Sequence, residues 1–270
     1  VHYFQTQVLL NTNTFFCFSQ NIDSARIKVT YEFSFYNDSL KTKSQKDICV
    51  LAIGNSYSVY YSYLKYQRDS LIYNKLKNGG AVTNILNSLA AYKTNGSSTI
   101  IYKKQDSDSL IVLTELAGDK YLINDKVDFK WLIKPDTVSI LNNICQKAIV
   151  YFRGREYTAW FSPAIPVNEG PWKFYGLPGL ILKIQDENGY FNFECTGIEV
   201  LNSTKKKAIK NVVNNKYTTI SLMKYNKLVD LYYDNPTNYL RNVKGMNFTI
   251  ISGNENQVKR KRPLQIEKDN

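Results

Sequence analysis

A chain of 270 residues with 43% hydrophobic and 21% charged residues has the composition of an ordinary globular protein, one large domain or two small ones. Its single histidine, His2, stands at the start of the sequence, which excludes Ser-His-Asp and Cys-His catalysis, HExxH zinc sites and His-rich iron sites in a folded core. The net charge of +12 invites a nucleic-acid reading, but the tight Lys/Arg clusters at 205–207 and 259–262 lie in no zinc-finger, helix-turn-helix or RNA-recognition pattern and read as solvated faces or a basic tail.

Residues 1–22 resemble a degenerate or mis-started export leader: an apolar stretch at 15–18 and a Ser19-Gln20 exit, without a basic start and broken by Asn11 and Asn13. One domain is expected over 23–270, because no linker, repeat or low-complexity tract divides it. No run reaches the ~18 apolar residues of a membrane-spanning helix. From Ile27 the chain alternates, with Ile27, Val29, Tyr31, Phe33 and Phe35 on one face, which predicts a half-buried strand. Cys49 to Ile53 and Tyr57 to Tyr61 predict a hairpin around Gly54-Asn55. Short strands are expected again at 100–102, 110–116 and 121–123. Helical spacing appears twice, in the stripe Val82, Ile85, Leu86, Leu89 and in the stripe Leu222, Tyr225, Val229, Tyr232, the second with Thr219 or Ser221 as N-cap and Pro236 beyond its end.

Residues 145–184 are the most distinctive stretch. A hairpin bending at Arg153-Gly154 would pair Val150 with Tyr157 and Ala148 with Ala159. A second, bending at Asn188-Gly189 through a type I′ turn, would pair Ile184 with Phe193, Leu182 with Cys195 and Lys183 with Glu194. Between them, residues 162–178 form a long connection stiffened by Pro163, Pro166, Pro171 and Pro178, which predicts an ordered arch. With 21 Tyr and 13 Phe, the expected fold is mainly β with a few helices (α+β): a large curved antiparallel sheet or half-open barrel, or alternatively a β-sandwich.

The hexapeptide Gly176-Leu177-Pro178-Gly179-Leu180-Ile181 resembles the signature of the GLPGLI family. The recurring words of that family also stand here in order: Cys145-Gln146-Lys147-Ala148, Arg153-Gly154-Arg155, Ala159-Trp160-Phe161, Ile165-Pro166 and Gly170-Pro171, with a looser likeness at Arg262-Pro263 and Ile266-Glu267. The resemblance implies an exported protein of a Gram-negative bacterium, periplasmic or associated with the outer membrane. It brings no established activity.

Four cysteines, Cys17, Cys49, Cys145 and Cys195, stand too far apart for a CxxC motif, which disfavours zinc and thioredoxin-like chemistry and leaves disulfide pairing open. No Walker loop, GxGxxG or EF-hand loop is present, so no cofactor or metal is expected. Asp119, Asp125, Asp128, Glu156, Glu169 and Asp186 are candidates for carboxylate catalysis, read first as surface charges. Cys145 or Cys195 would need a cation such as Lys147, Arg153 or Arg155 nearby to act as a thiolate, and reads first as a small buried hydrophobe. The expected ligand site is Trp160 and Trp172 with Arg153, Arg155 and Tyr157 around the arch, whose shape would rest on Gly170, Pro171, Gly176, Pro178 and Gly179. The leading expectation is a non-enzymatic protein binding an apolar ligand or extended peptide there. The alternatives are an interaction scaffold for an outer-membrane transporter or assembly complex, and a carboxylate- or thiol-dependent enzyme.

Overall fold

The computed structural model describes residues 21–79, 83, 87, 96–105, 107–202, 204, 207–210, 216–246 and 266–267. The expected leader lies outside them except for its last two residues. Those two open β1 (Asn21–Ser24), which pairs with β13 (Ala208–Lys210) in a small separate sheet.

Among the described residues, twelve strands make one continuous sheet. In chain order they are β2 (Ile27–Tyr36), β3 (Ser44–Ile53), β4 (Tyr57–Ser62), β5 (Ile100–Lys104), β6 (Ser109–Leu116), β7 (Asp119–Lys126), β8 (Leu132–Ile140), β9 (Asn143–Phe152), β10 (Arg155–Ser162), β11 (Leu180–Asp186), β12 (Phe191–Val200) and β14 (Tyr217–Thr219). Their order across the sheet is β14-β7-β6-β5-β4-β3-β2-β12-β11-β10-β9-β8, antiparallel apart from β14 beside β7.

This order requires strong curvature. β7 and β8 are ten places apart, about 48 Å if the sheet were flat. Only residues 127–131 join them, a link that spans roughly 20 Å when fully extended. Arg153, in the β9–β10 turn, bonds Asp125 of β7 at 2.6 Å. The sheet therefore closes on itself as a half-open barrel. A sandwich would need two facing sheets, and these twelve strands form a single one.

The barrel interior is filled by the alternate residues the sequence marks. Val29 and Tyr31 of β2 are fully buried, and Phe33 stacks on its cross-strand partner Phe193 at 4.1 Å. The two hairpins flanking the arch carry the expected registers Tyr157↔Val150, Ala159↔Ala148, Ile184↔Phe193 and Lys183↔Glu194, the last closing an ion pair at 3.1 Å. The first hairpin bends at Arg153-Gly154 as expected, whereas the turn at Asn188-Gly189 differs from expectation. The type I′ geometry, with positive φ at both central residues, occurs at Arg153-Gly154 (42° and 76°). At the other hairpin only Gly189 is left-handed, and the Gly189 N–H closes a turn onto the Asp186 carbonyl. The Asp186 side chain accepts from the Phe191 N–H at 2.8 Å and holds this wider loop.

Among the described residues the helical segments beside the sheet include α1 (Tyr63–Lys77), α2 (Leu222–Asp234) and α3 (Pro236–Asn238), the last continuing into a π-helical turn at Tyr239–Val243. α2 is the expected second stripe, capped by the Ser221 hydroxyl accepting from the Lys224 N–H. It packs Tyr225 and Val229 over Tyr121 and Leu116 at the β7 side of the opening. α1 carries no apolar stripe and buries no residue, so periodicity had nothing to detect; Ser62 caps it. The residues of the first stripe, Val82, Ile85, Leu86 and Leu89, lie outside the described residues. No helix among the described residues is long and apolar enough to cross a membrane.

Candidate functional site

The arch folds into the barrel and is not a lid over it. Phe174 is 1% exposed, with Phe129, Phe152 and Tyr157 ring centroids 4.8–5.8 Å away. Burying such a ring is worth about 2–3 kcal/mol. Backbone bonds tie the arch down along its length: Gly176 N–H to Asn168 O, Leu180 N–H to Ile165 O and Ile181 N–H to Glu169 O. Pro171 is buried and its carbonyl accepts from the Phe174 N–H, while Pro178 is exposed at the crest. Gly170 and Gly179 are required for space. A Cβ at Gly179 would stand 2.2 Å from the Ser162 carbonyl oxygen, and one at Gly170 2.8 Å from Ile181 and from the Phe174 carbonyl. Gly176 takes a positive φ of 91° at an exposed bend.

Phe174 anchors two neighbours beside the barrel mouth. Lys173 is 4% exposed, and Trp172 adopts φ = 56°, an uncommon conformation for a bulky residue that costs on the order of 1–3 kcal/mol. Trp172 meets Tyr60 of β4 edge to face at 6.3 Å. Opposite stands Arg153, also left-handed. Asp125 accepts from the Arg153 guanidinium through both oxygens, at 2.6 and 3.0 Å, and from Lys173 Nζ at 2.7 Å. Burial alone would raise the Asp125 carboxyl, but these two cations outweigh it and hold Asp125 below the usual carboxylate range. Burial works against the Arg153 charge too, and Asp125 and Glu267 more than offset it, raising its pKa.

Glu267 completes the cluster. Its carboxylate pairs with Arg153, takes the Lys173 ammonium at 2.6 Å and accepts from the Trp172 indole N–H at 3.2 Å. The preceding Ile266 offers its backbone carbonyl to the Tyr157 hydroxyl.

A cavity of about 560 Å³ adjoins this cluster. It is lined by Phe33, Phe35, Val112, Ile123 and Phe191 of the sheet, by Leu222, Tyr225 and Val229 of α2, and by Trp172, Lys173, Ile266 and Glu267 of the cluster. Polar groups are set into it, including Thr114, which lies 3.3 Å from the Tyr225 hydroxyl, and Asp47, which accepts from Ser62 Oγ at 3.0 Å. Apolar walls with a few placed polar groups are the usual make-up of a binding cleft. A second hollow of about 430 Å³ lies on the other side of the arch, between Pro166, Pro178 and the Gly54-Asn55 turn.

Of the residues expected at the site, Arg153, Tyr157 and Trp172 come together. Trp160 does not. It alternates with Tyr157 and Ala159 along β10, so it points to the opposite face, with Lys147 Nζ 6.0 Å from its ring centre. Arg155 is also elsewhere engaged: it is buried in the barrel wall and pairs with the equally buried Asp186 at 3.2 Å.

The expectation that these six carboxylates are surface charges holds for Asp128, Glu156 and the partly exposed Asp119, which pairs with Lys244, and fails for Asp125, Glu169 and Asp186, each buried against a cation. Glu169 takes Lys103 at 3.0 Å and Gln105 at 2.8 Å, tying the arch to β5. Cys49, Cys145 and Cys195 are free and buried, and burial pushes each thiol up, Cys195 to about 11, which is the reverse of an activated nucleophile. Cys17 lies outside the described residues. Among the described residues no group of three or more His, Cys, Asp or Glu could hold a metal.

Lys173, Tyr60 and Glu267 were missed. Lys173 stands between two aromatic residues and Tyr60 inside an aromatic strand, with no local sign of partners distant in sequence. Glu267 was visible only as part of the looser Ile266-Glu267 likeness.

A family model described as "Protein of unknown function (Porph_ging)" matches residues 151–183, from the end of β9 through the arch into β11. No curated protein matches. Among solved structures the chain is similar to PNGF-II in two crystal forms. The TM-score is 0.45 at 15% identity in both, over 76% and 74% of this chain and 32% of PNGF-II. It is also similar to MucB in complex with MucA(peri), with TM-score 0.24 and 8% identity over 70% of this chain and 56% of the other. The chain thus spans about a third of the length of the PNGF-II chains it matches.

Proposed function

We propose that this protein is a non-enzymatic, exported binding protein of the cell envelope whose barrel mouth receives an extended segment of a partner protein. The cavity of about 560 Å³ carries the reading: it combines an aromatic sheet wall with polar side chains and a tryptophan at its edge. Extended segments suit such a cleft because alternate side chains enter apolar pockets while the backbone meets polar groups. Envelope location and kinship with the GLPGLI proteins remain part of the proposal, resting on 176–181 and the words upstream of it. An enzyme reading is less favoured: Asp125, the carboxylate held among these cations, is lowered, and Asp47 on the cavity wall, whose carboxyl burial raises, is already engaged by the Ser62 hydroxyl and the Cys49 thiol.

The test is photo-crosslinking in intact cells from a position on the cavity wall, Phe35, with Trp160 as the outside control. One dominant protein adduct from Phe35, lost in Trp172→Ala and absent from Trp160, is the expected result. No adduct from Phe35 overturns the partner reading. A second reading, an apolar small ligand in the same cavity, is favoured by the cluster Phe33, Phe35 and Phe191. It requires native mass spectrometry of protein from its own envelope to show a mass excess lost on denaturation.

A further inference from the structure

The seat of Ile266-Glu267 has the form of a peptide-recognition site. Tyr157 donates to a backbone carbonyl, and Arg153, Lys173 and the Trp172 indole converge on the next side-chain carboxylate. Charge explains why a carboxylate is needed there. Arg153 and Lys173 contribute two positive charges and Asp125 one negative, so one positive charge is left inside the barrel mouth for Glu267 to neutralise.

The receptor side does not depend on the segment it holds. Tyr157 belongs to β10, Arg153 is fixed bidentately by Asp125, and Trp172 and Lys173 immediately precede the buried Phe174. The two left-handed residues other than glycine in this region, Arg153 and Trp172, both present their side chains to Glu267. The Glu267 side chain is still 16% exposed and that of Arg153 20%, so a competing carboxylate can reach the clamp from solvent.

We infer that this clamp is a recognition site for a peptide carrying an apolar residue followed by a carboxylate side chain, and that Ile266-Glu267 is its displaceable resident, bound in cis. The inference rests on the partner reading for its biological meaning and specifies that partner's chemistry. The tether gives the resident an effective concentration that an incoming segment must exceed, which makes the barrel mouth a competed site.

The experiment uses the full chain, its Glu267→Ala and Glu267→Gln variants, and a fluorescein-labelled nonapeptide with the sequence of residues 262–270, RPLQIEKDN, read by fluorescence polarisation. Both variants should bind the peptide at least about tenfold more tightly than the parent, because the charge-assisted contacts of the resident are weakened. Replacing the peptide's own Glu by Gln should cost a similar factor, and Lys173→Met in the Glu267→Gln background should abolish binding. Thermal melts verify that each variant is folded; Glu267→Gln keeps the acceptor oxygen if Glu267→Ala does not fold.

Binding that is equal in parent and variants, or indifferent to the peptide's Glu, overturns the inference. So does a parent dimer that Glu267→Ala converts to monomer, because the segment would then be exchanged between copies. If the Phe35 adduct forms in cells while the peptide fails these tests, the clamp inference falls alone. If the peptide passes and no adduct forms, the clamp stands and the partner reading falls.

Discussion

Replacing Arg155 by Met separates a structural arginine from a ligand-binding one. The Arg155 side chain is 3% exposed and that of Asp186 0%, and their contact at 3.2 Å lies in the wall between β10 and β11. Met keeps most of the apolar stem and removes the guanidinium. Asp186 then retains the Phe191 backbone N–H, one donor for a fully buried carboxylate. Breaking a buried pair from one side typically costs about 3–5 kcal/mol. Loss of the cation 4.9 Å from the Phe191 ring adds roughly 0.5–1 kcal/mol. A loss of about 4 kcal/mol is expected in urea unfolding, and a melting temperature lower by about 8–16 °C in a chain of this size. Asp186→Asn preserves the acceptor for Phe191 while removing the charge, so the double variant should recover at least half of the loss, giving a coupling energy above about 1.5 kcal/mol. If Arg155→Met lies within 1 kcal/mol of the parent, or the cycle shows no coupling, the pair is not what holds this wall.

Gly179→Ala forces a Cβ to within 2.2 Å of the Ser162 carbonyl and should cost about 3 kcal/mol or more, whereas Gly118→Ala, left-handed but with nothing within 4 Å, should cost only about 1–2 kcal/mol; equal losses by chemical denaturation would refute the packing argument. Asp47 is buried, and desolvation raises its carboxyl despite the Ser62 and Cys49 hydrogen bonds. A folded-state pKa above the unfolded value means stability that is full below the unfolded pKa and declines as pH rises through the folded one. Asp47→Asn should therefore stabilise the protein at neutral pH and lose that advantage near pH 4; a variant less stable than the parent at pH 7, or one whose advantage does not change with pH, contradicts this. In the binding assays, Trp172→Ala should disturb cavity occupancy and Trp160→Ala should not, since the two rings lie on different faces of the fold.

Local signals determined much of this protein. The alternation of β2, the registers of the two hairpins around the arch and the Ser221-capped helix α2 each follow from period, turn and cap chemistry acting within about ten residues, and the aromatic-rich composition pointed to a large antiparallel sheet. What needed the folded chain is whatever closure of the barrel brings together. Asp125 was indistinguishable in sequence from a solvated carboxylate. It is buried because β7 and the β9–β10 turn, eight to nine places apart along the sheet, meet when the sheet curls, and two cations from two elements then compensate its desolvation. Glu169 looks solvated in the sequence for the same reason, its partner Lys103 being on β5, whereas Arg155 and Asp186 meet simply because β10 and β11 lie side by side, with the whole arch between them in the chain. Trp160 and Trp172 look equivalent in a proline-rich stretch, yet strand parity sends one to the outer face while a left-handed backbone turns the other into the barrel mouth. Composition and period act locally and survive in the text of the chain; the pairing of buried charges is set by which strands lie side by side and by how the sheet curls, and exists only in three dimensions.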